Sequence, residues 1–224
     1  MKQYTQQEFD AFEVVNGYRQ CPTGDYTLIS SFGKYCSFGN ACVFGNGCSF
    51  GYSCSFGNDC SFGNDCSFGY SCSFGNDCSF GYSCSFGNGC RFGNGCRFGY
   101  FCSFGNGCRF GNGCRFGYFC RFGYSCSFGK YCRFGFNTKV ESTYELISTS
   151  YPLLQISGAG SRQGSTQMWN TTQGIIVRTG CFLGTLAEFR KAVKDKHAGT
   201  DHELTYLGFA NIACVQFKRK EEIA

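Results

Sequence analysis

From Phe32 to Phe134 the chain repeats itself every six residues as F-G-x-x-C-x, without an insertion. Eighteen phenylalanines stand at that spacing, each followed by glycine, and seventeen cysteines keep the same spacing from Cys36 to Cys132. So short a unit cannot enclose a core of its own. It must stack on copies of itself, so this stretch is a solenoid. Cys precedes Phe by two residues, which puts both on one face of a strand. A large and a small residue side by side can fill successive layers. Gly after Phe marks a corner, a position suited to φ > 0.

The number of sides follows from the residue after Gly, because like residues stack on successive coils. Between positions 40 and 130, identity there is 9 of 13 pairs at an offset of 18, against 5 of 14 at 12 and 4 of 12 at 24. Three sides per coil are expected. Asn40, Asn58, Asn76, Asn94 and Asn112 form one column, and Tyr82, Tyr100 and Tyr118 another, continued by Phe136. The repeat then makes about six coils, roughly 28 Å long at about 4.8 Å per coil.

The unit resembles the hexapeptide repeat of left-handed parallel β-helices, with Phe in place of the usual aliphatic residue and Cys in place of the small one. It also shares Phe and Cys spacing with pentapeptide-repeat proteins, which are four-sided. The hexapeptide resemblance implies a left-handed triangular parallel β-helix. Two further segments, Cys21-Pro22-Thr23-Gly24-Asp25-Tyr26 and the stretch from Gly158-Ala159-Gly160-Ser161-Arg162 through Gly174–Leu186, together with the C-S-F-G units, resemble uncharacterised phage and prophage proteins. That resemblance implies a viral or mobile-element origin and names no activity.

Twenty cysteines in 224 residues would suit a secreted disulfide framework. Three observations oppose it. Met1–Gln20 has no apolar run, so no signal peptide is expected. Stacked parallel side chains fit disulfide dihedrals poorly. The cysteines are also explained as small buried hydrophobes. Metal binding would call for close Cys pairs with His, and the repeat has no His. No run reaches a membrane span. We expect reduced thiols in a host-cell cytoplasm, with no cofactor and no membrane partner.

Three domains are expected. Residues 1–20 form a helical cap opened by Thr5-Gln6-Gln7-Glu8, with the helix over about 6–15. Residues 21–136 form the β-helix, with Tyr26–Ile29 its first strand. Residues 137–224 form a small α+β domain. Its strands are expected at Val140–Ile147, Leu153–Ile156, Gln167–Asn170 and Ile175–Thr179. Thr185 and Thr200 open its two helices, the second presenting Leu204, Leu207 and Ala210.

Catalysis finds little support. Many left-handed β-helices are acyltransferases using a histidine on the coils, so a hexapeptide acyltransferase is the remote alternative. The histidines here, His197 and His202, both lie outside the repeat, where a solvated or capping role suffices. Gly158–Gly164 lacks the G-K-[ST] of a phosphate loop.

The surface columns are the better lead. The net charge of +5 sits on the repeat, eight basic residues against three acids between Ser31 and Phe136. Arg97, Arg115 and Arg133 share one column, and Arg91 and Arg109 another; Arg121 adds to the basic coils. Tyr82, Tyr100 and Tyr118 run beside Phe101 and Phe119. Exposed aromatic and Arg residues are the usual anchors of an interface, although aromatic ladders also reinforce a sheet. The expectation is a non-catalytic binding protein of phage origin that engages a host protein, as an antagonist of a bacterial defence, and self-associates. A nucleic-acid or nucleotide binder is the competing class.

Overall fold

The computed structural model describes residues 1–129, 131–135, 138–140, 144, 145, 153–157 and 165–219. They fall into two units, Met1–Thr143 and Tyr144–Ala224.

In the first unit each repeat contributes a short rung ending on its Phe, and rungs 18 residues apart pair in parallel. Wall 1 carries Ser55, Ser73, Arg91 and Arg109 in register. Wall 2 carries Ser61, Ser79, Arg97 and Arg115. Wall 3 carries Ser67, Ser85, Ser103 and Arg121. The solenoid is three-sided and has about six coils, as the offset of 18 requires.

The interior is a repeating arrangement of rings. Phe92 stacks on Phe74 one coil below at 4.9 Å and 3°, and Phe80 on the next wall meets Phe74 edge-on at 5.1 Å and 86°. Both geometries are favourable for aromatic quadrupoles. Each buried Phe contributes roughly 2 to 3 kcal/mol before entropy is subtracted. The cysteines are free thiols. Cys96 donates to the carbonyl of Gly75 at 3.4 Å, and Cys114 does the same to Gly93 at 3.4 Å. A hydrogen bond with Cys120 together with burial outweighs the opposing pull of Cys84 and pushes the Cys102 thiol up to about 12.

Glycine after Phe does not take the expected positive φ. That conformation falls two residues later, just before Cys, with Ser53, Asp59, Asp65, Ser71, Asp77 and Ser83 all at φ 56–59°. The glycine is required for another reason. A Cβ on Gly93 would lie 2.6 Å from the carbonyl carbon and oxygen of Gly75 on the coil below. Corners approach too closely to admit a side chain.

The N-terminus closes the first coil, by a route only partly expected. Helix α1 (Gln6–Asp10) has the Thr5/Glu8 capping box, and its Phe9 meets Phe32 edge-on at 5.2 Å. It ends at Asp10, not near Val15. Strands β1 (Val14–Val15) and β2 (Tyr18–Cys21) instead form a hairpin about Asn16-Gly17, whose φ values are 51° and 83°. Asn-Gly with both φ positive is the preferred two-residue hairpin turn, and it overrides the helical pattern. Strand β2 pairs with Cys36–Phe38 and extends wall 1. Tyr26–Ile29 is not a strand. Asp25 makes an isolated bridge to Val43, while Tyr26 turns inward and stacks on Phe44 at 5.4 Å in the place of a repeat Phe. Its hydroxyl donates to the Pro22 carbonyl at 2.6 Å.

At the other end, Lys139–Val140 still pairs with Arg121–Phe122 on wall 3. Wall 3 therefore extends to Val140. Of the strand expected over 140–147, Val140 and Tyr144–Glu145 are extended, and Ile147 lies outside the described residues.

The second unit is α+β. Strands Leu153–Ser157, Ser165–Thr171, Gly174–Thr179 and Phe182–Thr185 form an antiparallel sheet in chain order. The last was not expected. Helices α2 (Leu186–His197) and α3 (Asp201–Gln216) start at Thr185 and Thr200, each accepting a bond from the N–H three residues on. Met168, Ile175, Val177, Phe189 and Tyr206 share the core. Helix α3 buries Tyr206, Ala210, Ala213 and Cys214, whereas Leu204 is 73% exposed. Apolar residues surround α3, so spacing alone did not fix its inward face. Among the described residues no helix is long and apolar enough to cross a membrane.

Candidate interaction surface on the late coils

Three corners run along the solenoid. Between walls 1 and 2 stand Asn40, Asn58, Asn76, Asn94 and Asn112. Between walls 2 and 3 stand Asn46, Asn64, Tyr82, Tyr100 and Tyr118. Between walls 3 and 1 stand Lys34, Tyr52, Tyr70, Asn88, Asn106 and Tyr124.

The asparagines have a structural task. The Asn58 N–H donates to Asn40 Oδ1 at 2.8 Å, Asn76 N–H to Asn58 Oδ1 at 2.8 Å, and Asn94 N–H to Asn76 Oδ1 at 2.8 Å. Each side chain thus serves the backbone of the next coil, in a bond of a kind that contributes roughly 0.5–1.5 kcal/mol. The last such bond on the second corner is Tyr82 N–H to Asn64 Oδ1 at 3.1 Å. Tyr82, Tyr100 and Tyr118 have no side-chain carbonyl to continue it.

The neighbouring position adds a second departure. Asp, Ser and Gly tolerate the left-handed conformation required before Cys. On coils where Tyr100 and Tyr118 stand, that residue is Phe101 or Phe119, each at φ 60°. A bulky residue there is strained by roughly 1–2 kcal/mol. Both Phe side chains are also exposed, at 55% and 41%. Stacking returns part of the loss. Tyr100 lies over Tyr118 at 5.1 Å and 4°, and Phe101 over Phe119 at 5.0 Å and 5°. Such a pair is worth roughly 0.5–1.5 kcal/mol. The product is an exposed ridge two rings wide.

The arginines are exposed but spread over all three walls. Arg97, Arg115 and Arg133 run along wall 2, which borders the ridge. Arg121 lies on wall 3, also bordering it, in register with Lys139. Arg91 and Arg109 lie on wall 1, which does not touch that corner. The geometry therefore unites Tyr82, Tyr100, Tyr118, Phe101 and Phe119 with Arg97, Arg115, Arg133 and Arg121. It separates Arg91 and Arg109 from them.

A second aromatic corner escaped the sequence reading. On the early coils Tyr52 stacks on Tyr70 at 4.7 Å and 3°, and Tyr35 meets Tyr52 edge-on at 5.1 Å. Lys34 Nζ lies 5.4 Å from the Tyr52 ring centre. Hydrogen bonding between them raises the Lys34 pKa and lowers that of Tyr52. The signal was available, since Lys34, Tyr52 and Tyr70 stand 18 residues apart.

Among the described residues nothing comparable gathers chemistry. His197 and His202 meet at the junction of α2 and α3 in the second unit, ring centres 5.9 Å apart. Among the described residues no three His, Cys, Asp or Glu side chains are grouped to hold a metal ion. The glycine-rich segment 158–164 lies outside the described residues. No family model, no curated protein and no solved structure matches the chain.

Proposed function

We propose that this protein acts by binding another protein through the aromatic ridge between walls 2 and 3, and not by catalysis. The observation that carries the reading is the double departure at Tyr100-Phe101 and Tyr118-Phe119. At both positions the scaffold is better served by Asn and by Gly, Ser or Asp, and the chain places exposed rings there instead. Aromatic rings beside arginine are the usual anchors of binding energy. The resemblance of repeat and tail to phage proteins makes a host protein the partner class, in a bacterial cytoplasm, with antagonism of a defence system as its purpose. The test is capture of partners from bacterial lysate by the wild-type chain and by a Phe101→Gly/Phe119→Gly variant, read by mass spectrometry. A partner held by the wild type and lost by the variant supports the ridge. Identical captured sets remove it.

A nucleic-acid reading draws on the Arg97–Arg115–Arg133 line. It predicts steep weakening with salt. Its weakness is that the remaining arginines stand on other walls and do not join one groove.

A further inference from the structure

Wall 2, whose basic half borders the aromatic ridge, carries a charge pattern along its whole length. All three acids of the repeat border this wall, and all three stand on its early coils. Asp59 and Asp77 lie on the corner that enters it, and Asp65 on the corner that leaves it. Between them the rungs present Ser61 and Ser79, a floor of small side chains. The late coils of the same wall present Arg97, Arg115 and Arg133 in adjacent register. Beyond the early end, Asp25 bridges to Val43. One face is therefore acidic with a low floor in one half, and basic with tall side chains in the other.

Among the described residues these charges find no counter-charge. Asp59, Asp65, Asp77, Arg97, Arg115 and Arg133 are all exposed, and among the described residues none of the six makes an ion pair. Stacked at the rung spacing of about 4.8 Å, the arginines repel one another. Asp59 and Asp77 stack in the same way. A counter-charged surface of matching pitch would relieve both columns at once, and wall 2 of a second copy is such a surface.

We propose that two copies pair face to face across wall 2 with their coil axes antiparallel. The charge pattern selects that orientation. Parallel pairing would set Arg97 on Arg97 and Arg115 on Arg115. In the antiparallel arrangement the two-fold axis passes between Ser79 and Arg97. Arg97 then lies over Ser79 of the other copy beside Asp77. Arg115 lies over Ser61, between Asp59 and Asp65. Arg133 lies over Val43, whose methyl groups take its aliphatic stem. The contact is isologous, so it closes as a dimer and does not grow into a fibre. Six rungs about 28 Å long and about 16 Å wide cover about 450 Å² on each copy, below the span of permanent interfaces, so the pairing is reversible. Being largely ionic, it is screened by salt.

The experiment is sedimentation velocity on the full chain over a concentration series, at low and at high salt. The wild type is expected to dimerise at low salt and to dissociate as salt rises. Arg115→Asp alone, and Asp59→Arg/Asp65→Arg alone, are expected to be monomeric. Mixed in equal amounts, those two variants are expected to recover a dimer, because each then faces opposite charge at both contacts. Arg91→Asp on wall 1 should dimerise like the wild type. Recovery on mixing also shows that both variants are folded. A wild type that stays monomeric at low salt, a dimer indifferent to the reversals, or a monomer that binds an oligothymidine probe through Arg115 overturns the pairing. The Phe101→Gly/Phe119→Gly variant leaves wall 2 intact, so loss of the ridge partner and loss of the dimer are separable.

Discussion

The early and late coils of this solenoid are nearly identical inside and different outside. Phe50 stacks on Phe68 at 4.8 Å and 1°, and Phe104 on Phe122 at 4.8 Å and 5°. Cys60 and Cys114 donate to the glycine carbonyl of the coil below at the same 3.4 Å. Outside, the early coils carry mainly Asn and Asp on the two corners that flank wall 2, the Tyr52–Tyr70 ladder on the third, and Ser on most of their rungs. The late coils carry Tyr100-Phe101 and Tyr118-Phe119 on one corner and Arg on six of their rungs before Lys139. The interior answers to packing and tolerates no drift, because every ring touches rings on two other walls. The outward rung positions answer to solvent and partners, and the corners answer to the backbone as well. Where they nevertheless depart from what the backbone favours, the departure points to binding.

The sharpest way to break this comparison is to cut the interior in both halves. Phe56→Ala and Phe92→Ala each remove a ring from an otherwise continuous stack, and each should cost about 3–5 kcal/mol by equilibrium denaturation. Equal losses are expected. A markedly smaller loss on the late coils would mean that their interior is less constrained than its geometry indicates.

Next in size is the response to alkali. Folding holds the Cys102 thiol protonated, with its pKa raised from the ordinary 9.0 to about 12. A raised folded-state value favours the fold below the unfolded value, and the contribution is lost as pH rises through 9 towards 12. Stability followed by circular dichroism should therefore be flat between pH 7 and 9 and fall above it. On the earlier coils Cys72, hydrogen-bonded with Cys54 and buried, is likewise pushed up to about 12 against the opposing pull of Cys90, so both halves should be lost in one transition. Stability unchanged up to pH 11 would remove the buried thiols from this account.

The smallest effects should differ in sign between the halves. Asn58→Tyr on the early coils removes the acceptor for the Asn76 N–H and should lower stability by about 1 kcal/mol. Tyr100→Asn restores an acceptor on the late coils and gives up one stacked pair, so its melting temperature should match or exceed that of the wild type. A fall of several degrees for Tyr100→Asn would show that the ridge is there to brace the sheet, and the binding proposal would lose its main support.

Much of the solenoid was legible in the chain. A translational repeat places residue i beside residue i + 18 whatever the details of the backbone, so the columns and the three walls follow from spacing. The same arithmetic assigns each arginine to its wall, and it also contained the unread Tyr52–Tyr70 ladder. The non-repeating parts were harder. In Met1–Gln20 the Asn16-Gly17 turn competes with a helical pattern, and local conformational preference decides between them. On α3 the apolar residues are too many to single out a face: Leu204 shares its spacing with Leu207 and Ala210, yet Leu204 lies outward while Ala210 is buried.

What the sequence by itself determined is the lattice: period six, three walls, Phe and Cys within, charge and aromatics without. The tertiary structure alone decided how that lattice is held. It assigned the left-handed conformation to the residue before Cys and close approach to the glycine after Phe. It also turned corner asparagines such as Asn58, Asn76 and Asn94 into acceptors for the coil above. Spacing records which residues are neighbours, whereas these roles depend on how the backbone turns between walls and how near successive turns come. Those quantities exist only once the coils are stacked.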